Sequence, residues 1–367
     1  MEERAVITYI RSGDDILLIH KKTGHGAGKV NAPGGHIEPG ETPVQAAVRE
    51  CMEETGIIPV NPVLKGVLDF PFTDGLDLKG YVFYADEFFG SLKSCDEADP
   101  FWCPVDKMPY DQMWEDDKLW IPALLDGKCF SGYFTFDGDN MRESRLQIFD
   151  NKKKILCFGS SSTWGYDWHD GSRLDEETRW PCVVKKYIPE CFEITENGVN
   201  GRTVMNYLPM RSPTNGKQAL ERAVSKERFD GVIILLGNND IMAVPDISIN
   251  RIAEGMGEMA DIVRASNPDA RVFLASAVPI STKCDEDNLF ASFFESQVNK
   301  SQRLAGAVKE VAERKGCTFI EAGKYATCDG TDGIHFDAAS NKNLAIYMGD
   351  FLNQEIRDAV DYLSQIS

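Results

Sequence analysis

The pattern of apolar residues changes near residue 150, and this change limits the folds that the chain can adopt. After it, short apolar runs alternate with long amphipathic patterns, which is typical of a parallel sheet with helices on both faces. Before it, strand patterns surround one strong helical pattern at 41–55, which indicates a mixed α+β domain. We therefore predict two domains, 1–150 and 154–367, joined by a linker at 151–153.

The two domains differ in the elements that their patterns predict. In the first we expect strands at 4–11, 15–21, 62–70, 79–87, 101–104, 128–136 and 143–149, and helices at 41–55 and 119–125. In the second we expect strands at 155–158, 192–195, 232–236, 272–277 and 318–320, and helices at 216–225, 247–266, 290–315 and 338–365.

Three carboxylates crowd one side of the helix predicted at 41–55. Glu50, Glu53 and Glu54 share a face, and like charges at this spacing cost about 0.2–0.5 kcal/mol per pair. The apolar stripe is separate and consists of Val44, Ala47, Val48, Cys51 and Thr55. A solvated acidic face is one interpretation of this cluster. The other is a cation site, and ligands limited to oxygen favour Mg²⁺ or Mn²⁺.

The spacing of the fixed residues from Gly35 to Ile57 favours the cation site. It resembles the signature of the Nudix hydrolase family at every fixed position, with Cys51 at an apolar place. The resemblance implies that Glu41 pairs with Arg49 to orient the loop against the helix. It also implies a divalent ion held by Glu50, Glu53, Glu54 and the carbonyl of Gly34.

Within that family, the first 150 residues resemble the MutT-type oxidised-purine nucleoside triphosphatases. The resemblance is carried by Leu17-Leu18, Lys21-Lys22, Gly26-Ala27-Gly28, Asn31, Asp96-Glu97, Met113-Trp114, Asp116-Asp117, Trp120, Pro122 and Gly132-Tyr133-Phe134. It implies that Trp114 stacks on the purine, while Asn31, Asp116 and Asp117 read its edge. It further implies that Lys21 lies near the phosphates and that Glu97 is a metal ligand or base.

The adjacent Asp116 and Asp117 also have a purely structural interpretation. Either one could cap the helix predicted at 119–125, as Asp often does. In a half-buried pocket, however, two neighbouring carboxylates resist double ionisation, so one can donate a hydrogen bond while the other accepts. His25 departs from the family pattern, which has an aromatic residue at this loop position, so the preferred base stays open.

In the second domain, the predicted strand ends carry the groups of a serine hydrolase, and such sites lie beyond the carboxyl ends of parallel strands. The segments are Gly159-Ser160-Ser161-Ser162, Asn200-Gly201-Arg202, Gly237-Asn238-Asn239-Asp240 and Asp332-Gly333-Ile334-His335. Their order resembles the SGNH (GDSL-type) hydrolase family, and its arylesterase branch in particular, over residues 154–366.

That resemblance assigns the catalytic roles. It implies Ser161 as nucleophile, with His335 as general base and Asp332 orienting the imidazole. The amides of Ser161 and Gly201 and the side chain of Asn239 would stabilise the oxyanion. The family usually has Asp where this chain has Ser160. The implied fold is a flavodoxin-like parallel sheet, and no cofactor is expected here.

Composition sets outer limits on partners and location. A formal net charge of −19 argues against a nucleic-acid polymer as partner, because phosphate binding needs a basic surface. The ten cysteines form no Cys-x-x-Cys pair, which favours reduced thiols over disulfides or zinc. No secretory signal or apolar membrane span is visible, so we expect a cytoplasmic protein that does not bind membranes.

Together these features predict a bifunctional hydrolase. The substrates would be an oxidised purine nucleoside triphosphate and a small ester. An alternative makes the first domain a nucleotide sensor that regulates the second without turnover of its own. A further alternative makes the second domain a carbohydrate deacetylase or thioesterase, because the loops at 164–180 and 241–248 leave its acyl specificity open.

Overall fold

The computed structural model describes residues 2–206, 213–283 and 295–364. Packing divides the chain into two compact units. The first consists mainly of Met1–Lys152, and residues 186–191 and those from 349 onward group with it. The second consists of Lys153–Lys185 and Phe192–Met348. The limits of the two domains inferred from sequence stay predictions.

The first unit is built on a mixed sheet with one long helix, as predicted. Its strands are β1 (Glu3–Ser12), β2 (Asp15–Lys21), β3 (Val30–Asn31), β4 (Ile57–Pro59), β5 (Val63–Pro71), β6 (Asp77–Ala85), β7 (Phe88–Gly90), β8 (Ala98–Pro104), β9 (Cys129–Asp137) and β10 (Asn140–Phe149). The sheet order is β10-β9-β5-β6-β1-β2-β3, and β8 pairs with β2. Strands β1 and β6 run parallel, whereas β1 and β2 run antiparallel. The sequence pattern did not predict β3 or the β4–β7 pair, since these strands have only two or three residues.

Two α-helices accompany this sheet, α1 (Pro43–Thr55) and α2 (Asp117–Leu125). Helix α1 begins with Pro43, which suits a first helical turn, and ends at Gly56, which has a left-handed φ of 75°. The backbone N–H of Thr42 donates to Gln45 Oε1 at 2.9 Å. These signals explain why the helix starts two residues later than the predicted Glu41.

The buried face of α1 differs in part from the predicted stripe. Ala46 and Cys51 are buried, whereas Val44 and Val48 are only half-buried. Glu54 is also buried, with 2% of its surface exposed, while Glu53 is exposed. The three carboxylates therefore do not share one solvated face.

The second unit has a parallel sheet with the order β12-β11-β13-β14-β15, which confirms the predicted architecture. Its strands are β11 (Lys153–Gly159), β12 (Phe192–Gly198), β13 (Gly231–Leu236), β14 (Arg271–Ser276) and β15 (Thr318–Glu321). Its helices are α3 (Ser161–Trp164), α4 (Trp180–Val183), α5 (Gly216–Lys226), α6 (Asn238–Ala243), α7 (Ile249–Ser266) and α8 (Glu295–Arg314), together with the first part of α9 (Ala338–Ser364), which belongs to this unit up to Met348. Residues 290–294 and 365 of the predicted helices lie outside the described residues.

Both faces of this sheet are covered. In β13, Val232 and Ile234 belong to a core that also contains residues of α5, α7 and α8. Ile233 and Leu235, which point to the opposite face, are buried as well. None of the described helices is long and apolar enough to cross a membrane.

Candidate active sites

The loop before α1 is tied to the helix by an ion pair. Arg49 donates from Nε and Nη2 to the two carboxylate oxygens of Glu41 at 2.8 and 2.9 Å, and from Nη2 to the carbonyl of His36 at 2.9 Å. The hydrogen bonds from Arg49 lower the pKa of Glu41. A Cβ on Gly35 would lie 2.5 Å from the Glu50 carboxylate, so a larger residue here would displace that side chain.

Cations of the protein neutralise the carboxylates of α1. Arg49 Nη1 lies 2.8 Å from Glu50 Oε1 and 3.3 Å from Glu53 Oε2. Glu54 accepts from Lys21 Nζ at 2.9 Å and from the backbone N–H of Gly34 at 2.8 Å. Burial is the main cause of the raised pKa of Glu50. No group of three His, Cys, Asp or Glu side chains is arranged to hold a metal ion within the part of the chain that the structure describes.

The residues around Lys21 nevertheless fit a divalent ion. Lys21 Nζ lies 3.4 Å from the carbonyl oxygen of Gly34 and 2.9 Å from Glu54 Oε1. The Nudix resemblance assigns both of these oxygens to the metal. In this structure the ammonium group of Lys21 lies close to both of them. The remaining candidates are carboxylates, which are the ligands that Mg²⁺ and Mn²⁺ prefer.

Most of the predicted site residues of the first domain line a cavity of about 530 Å³. Its lining includes Lys21, Asn31, Gly34, Glu50, Glu54, Glu97, Trp114, Asp116 and Asp117. Glu53 is not part of this lining. The predicted base-reading residues and three of the predicted carboxylate ligands therefore open onto the same space.

The Asp116–Asp117 pair is buried at the wall of this cavity. Asp116 Oδ2 accepts from Trp120 Nε1 at 2.9 Å, and Asp117 Oδ2 accepts from the backbone N–H of Trp114 at 3.0 Å. Burial raises the pKa of Asp116 to about 6, and burial together with the charge of Asp116 raises that of Asp117 well above its usual value. Asp116 makes no side-chain capping hydrogen bond to α2. The pair can therefore retain a proton.

Four aromatic residues of this cavity were not predicted from the sequence: Tyr9, Phe70, Phe72 and Phe136. His25 stacks on Trp114 with ring centroids 5.0 Å apart, and the ring of Phe72 lies perpendicular to that of His25 at the same centroid distance. Burial lowers the pKa of His25. Lys29 Nζ lies 4.6 Å from the ring centroid of Trp114. Phe136 ends the predicted strand 128–136, but the pattern did not indicate which of its faces lines a cavity.

The second unit brings three predicted residues into a hydrogen-bonded chain. His335 Nε2 lies 3.0 Å from Ser161 Oγ, and His335 Nδ1 lies 2.6 Å from Asp332 Oδ2. Asp332 Oδ1 accepts from the backbone N–H groups of Ile334 and His335 at 3.0 and 2.9 Å. Burial opposes ionisation of Asp332, but the hydrogen bond and charge of His335 outweigh it and lower the pKa. An ionised Asp332 only accepts, so Nδ1 carries the proton and Nε2 is free to accept from Ser161.

The elements of the sheet explain why these side chains meet. Ser161 begins α3 one residue after the end of β11, at the carboxyl edge of the sheet. Tyr166 packs its ring 4.3 Å from that of His335. Ser160, which replaces the usual Asp of the family, precedes α3 without a side-chain capping hydrogen bond.

The candidate oxyanion donors follow neighbouring strands. Gly201 lies in the turn after β12 with a left-handed φ of 74°. Asn239 lies near the start of α6 and donates from Nδ2 to the carbonyl of Arg202 at 2.9 Å. The next residue, Asp240, is buried and accepts from the backbone N–H groups of Val204 and Met205 at 2.8 and 3.0 Å. Ser161 and Asn239 both line a cavity of about 20 Å³, whereas Gly201 does not.

Comparisons with known families agree with the two predicted kinds of domain. The NUDIX domain model matches residues 1–124, and the model of the GDSL-like Lipase/Acylhydrolase family matches residues 157–342. An oxidized purine nucleoside triphosphate hydrolase from Danio rerio is 44% identical over 128 residues, which cover 34% of this chain and 81% of the relative. The chain belongs to the Nudix family in its first part and to the GDSL-like family in its second.

The Nudix part has a second relative of the same name. The oxidized purine nucleoside triphosphate hydrolase of Mus musculus is 36% identical over 138 residues, which cover 37% of this chain and 88% of that protein. The Nudix family generally uses a divalent metal ion, in keeping with the oxygen ligands around Lys21.

The GDSL-like part resembles solved esterase structures. A carbohydrate acetylesterase from Sinorhizobium meliloti is 30% identical, with a TM-score of 0.51 over 55% of this chain and 98% of that chain. The native aryl esterase of M. smegmatis is also 30% identical, with a TM-score of 0.51 over 55% of this chain and 99% of that chain. Both parts of the chain are therefore hydrolase domains.

Proposed function

We propose that the Nudix domain hydrolyses oxidised purine nucleoside triphosphates, such as 8-oxo-dGTP, to the monophosphate and pyrophosphate. The observation that carries this proposal is the buried Asp116–Asp117 pair beside Trp114, in a cavity that also reaches Glu50 and Glu54 of α1. A pair that keeps one proton can donate to one edge atom of a purine and accept from the next. Oxidation of the purine changes this donor and acceptor pattern, and a pair that can both donate and accept is able to match the changed pattern.

The chemistry that we propose adds one water molecule across a phosphoanhydride bond. The water oxygen bonds to phosphorus, the bridging oxygen leaves with the other phosphoryl groups, and Glu53 or Glu97 accepts the water proton. Glu50, Glu53, Glu54 and the Gly34 carbonyl, with Glu97 as a further candidate, would hold a divalent ion such as Mg²⁺, which would neutralise charge on the phosphates. Lys21 can turn from Glu54 towards the phosphate oxygens, since its ammonium lies in the same cavity.

Pyrophosphate release tests this proposal directly. The panel contains dGTP, 8-oxo-dGTP, 2-hydroxy-dATP and dCTP, each with Mg²⁺, and compares the native chain with Glu54→Gln. Glu87→Gln, a change at an exposed carboxylate before β7, is the control. We expect fast turnover of the oxidised purines that only Glu54→Gln abolishes. Binding of these nucleotides without turnover by the folded native chain would instead support the nucleotide-sensor alternative.

We propose that the GDSL-like domain is a serine esterase, and the Ser161–His335–Asp332 chain carries this proposal. Ser161 Oγ attacks the ester carbonyl carbon and passes its proton to His335 Nε2, which then protonates the departing alkoxide. Water repeats the sequence on the acyl-Ser161 intermediate and releases the acid. The amides of Ser161 and Gly201 and the side chain of Asn239 are the proposed oxyanion donors.

A carbohydrate deacetylase is the second candidate for this domain, and the cavity beside Ser161 favours it. A volume of about 20 Å³ holds little more than one water-sized group, which suits an acetyl methyl better than a long acyl chain. The solved relative from Sinorhizobium meliloti is named a carbohydrate acetylesterase. Acetylated sugars and p-nitrophenyl esters of increasing chain length distinguish the two candidates.

Paired serine variants test the nucleophile. Ser161→Ala should abolish hydrolysis of p-nitrophenyl acetate and leave nucleotide turnover intact. Ser162→Ala, which removes the neighbouring hydroxyl from the same short helix, should keep most of the activity. Retained esterase activity in Ser161→Ala would overturn the proposed triad.

A further inference from the structure

Arg202 is a buried cation whose partners are neutral oxygens. Its side chain is 2% exposed, and its guanidinium donates to the carbonyl of Gly159 at 3.0 Å, Asn197 Oδ1 at 2.9 Å and the carbonyl of Pro213 at 3.1 Å. The guanidinium carbon also lies 4.1 Å from the ring centroid of Phe158. Burial lowers the pKa of Arg202 to about 10, so the group stays charged at neutral pH.

The contacts of Arg202 join the ends of two strands. Gly159 ends β11, two residues before Ser161, and Asn197 lies at the end of β12, before the turn that contains Gly201. The planar fork of an arginine fixes two acceptors at a set separation, which a lysine ammonium cannot do. The guanidinium therefore sets the spacing between the segments that carry two of the proposed oxyanion donors.

The backbone of Arg202 reaches the third donor. Its carbonyl accepts from Asn239 Nδ2 at 2.9 Å. One hydrogen of that amide is thus held by Arg202, and the direction of the other is fixed because the amide is planar. Each segment that carries a proposed oxyanion donor is consequently in contact with this one residue.

We infer that Arg202 is a positioning residue of the esterase, which aligns the amides of Ser161, Gly201 and Asn239 without touching the substrate. The inference rests on the proposed esterase function. Oxyanion donors act only when they lie at hydrogen-bonding distance from the developing negative charge, and a misplacement of about 1 Å can cost roughly 100-fold in rate. Arg202 is therefore expected to affect the transition state more than the bound ester.

Arg202→Lys is the informative variant, because it keeps the charge and the backbone carbonyl but loses the fork. Arg264→Lys is the matched control. Arg264 also clamps backbone carbonyls, those of Lys315 and Gly316 at 2.7 and 2.8 Å, but it does so before β15, at the amino edge of the sheet. Both changes remove a guanidinium that holds two segments together. Only Arg202→Lys removes it from the proposed oxyanion site.

The measurement is p-nitrophenyl acetate hydrolysis, with active sites counted by the acetylation burst. For Arg202→Lys we expect kcat per active site to fall about 100-fold while KM changes less than about threefold. Binding of a trifluoromethyl ketone, which forms an anionic adduct with a serine hydroxyl, should weaken by a similar factor. Arg264→Lys should retain kcat and ketone affinity whatever its melting temperature.

Several outcomes would overturn the inference, and they differ from failure of the proposed function. An active native enzyme whose Arg202→Lys variant keeps kcat per site, even with a lower melting temperature, shows a merely structural role for Arg202. An inactive native enzyme with every ester removes the proposed function and the inference with it. If Arg202→Lys does not fold, Arg202→Gln takes its place, because it also removes the fork and keeps the backbone carbonyl, and an unchanged kcat per active site in that variant would overturn the inference.

Discussion

Lys21 and Glu54 form an ion pair inside the Nudix cavity, with 2.9 Å between Nζ and Oε1. The lysine belongs to β2 and the glutamate to α1, so the pair joins the sheet to the helix. Because Glu54 is almost fully buried, its negative charge needs a positive partner within the protein or a bound cation. The same carboxylate is therefore available to a lysine or to a metal ion, but not fully to both.

This competition predicts how a lysine variant responds to divalent ions. In Lys21→Met the buried carboxylate loses its partner, and we expect a loss of about 3 kcal/mol in stability when chelator is present. Added Mg²⁺ should restore much of this loss and should bind the variant more tightly than the native chain. Thermal unfolding with chelator and with Mg²⁺ measures the effect. Lys22→Met is the control, because Lys22 pairs with the half-exposed Asp99, and an equal metal-dependent shift in that variant would contradict the prediction.

The Asp pair predicts the substrate profile. In Asp117→Asn the amide is a fixed donor that cannot exchange a proton with Asp116, so we expect turnover of oxidised purine triphosphates to fall about tenfold or more relative to dGTP. The check is kcat/KM for each nucleotide. Asp126→Asn, at the exposed carboxyl end of the same helix, should keep the native profile. An unchanged profile in Asp117→Asn would return the pair to a structural role.

Asp116 predicts a pH-dependent gain in stability on substitution. The pKa of Asp116 is about 6 in the folded chain and 3.8 ordinarily, so the folded chain binds this proton more tightly than the unfolded chain does. The stability that this proton contributes is complete below pH 3.8 and is lost as the pH rises to about 6. Relative to the native chain, Asp116→Asn should therefore gain stability across this window, by up to about 3 kcal/mol. Melting temperatures between pH 4 and 7.5 provide the measurement.

A second Asp variant supplies a control of opposite sign. The hydrogen bond from Arg142 lowers the pKa of the exposed Asp137. The ionised Asp137 therefore stabilises the folded chain above its ordinary pKa, and this stabilisation is lost as the pH falls. Asp137→Asn should consequently lose rather than gain stability at neutral pH. Parallel pH trends in the two Asn variants would show that burial does not govern the ionisation of Asp116.

Asp332 predicts a large effect on esterase rate. In Asp332→Asn the amide can donate to His335 Nδ1, which favours the tautomer that cannot accept the proton of Ser161, and we expect kcat to fall about 10⁴-fold. Because the pKa of Asp332 in the native chain lies below its ordinary value, this carboxylate should stay ionised in mild acid. Its protonation should therefore not be what reduces native activity there. Asp329→Asn, three residues earlier and paired with Lys283, is the control. Hydrolysis of p-nitrophenyl acetate measures both variants.

Local patterns predicted the elements that hold the two sites, but not the contacts across them. Helix α1 and strand β11 were predicted to within two residues because their periodicity and end signals lie close together in the chain. The Lys21–Glu54 pair joins residues 33 positions apart, and no local pattern encodes such a contact. Glu54 is buried beside that lysine, so the structure has three different environments where the sequence indicated a face of three similar carboxylates.

The second domain shows the same division between local and distant information. Four short segments indicated the triad and the oxyanion donors because their chemistry is distinctive and their order matches a family. Arg202 lies inside one of those segments, yet its role depends on Gly159, which is 43 positions away. Its surroundings could be known only once β11 and β12 were placed side by side.

The shortness of helix α3 has a practical consequence. Four residues form too few intrahelical hydrogen bonds to hold Ser161 in place, so its position depends on the packing around it. Slight loosening of this region would displace the hydroxyl while the long helices kept their ellipticity. Ester hydrolysis is thus a more sensitive reporter of early damage during storage or heating than circular dichroism.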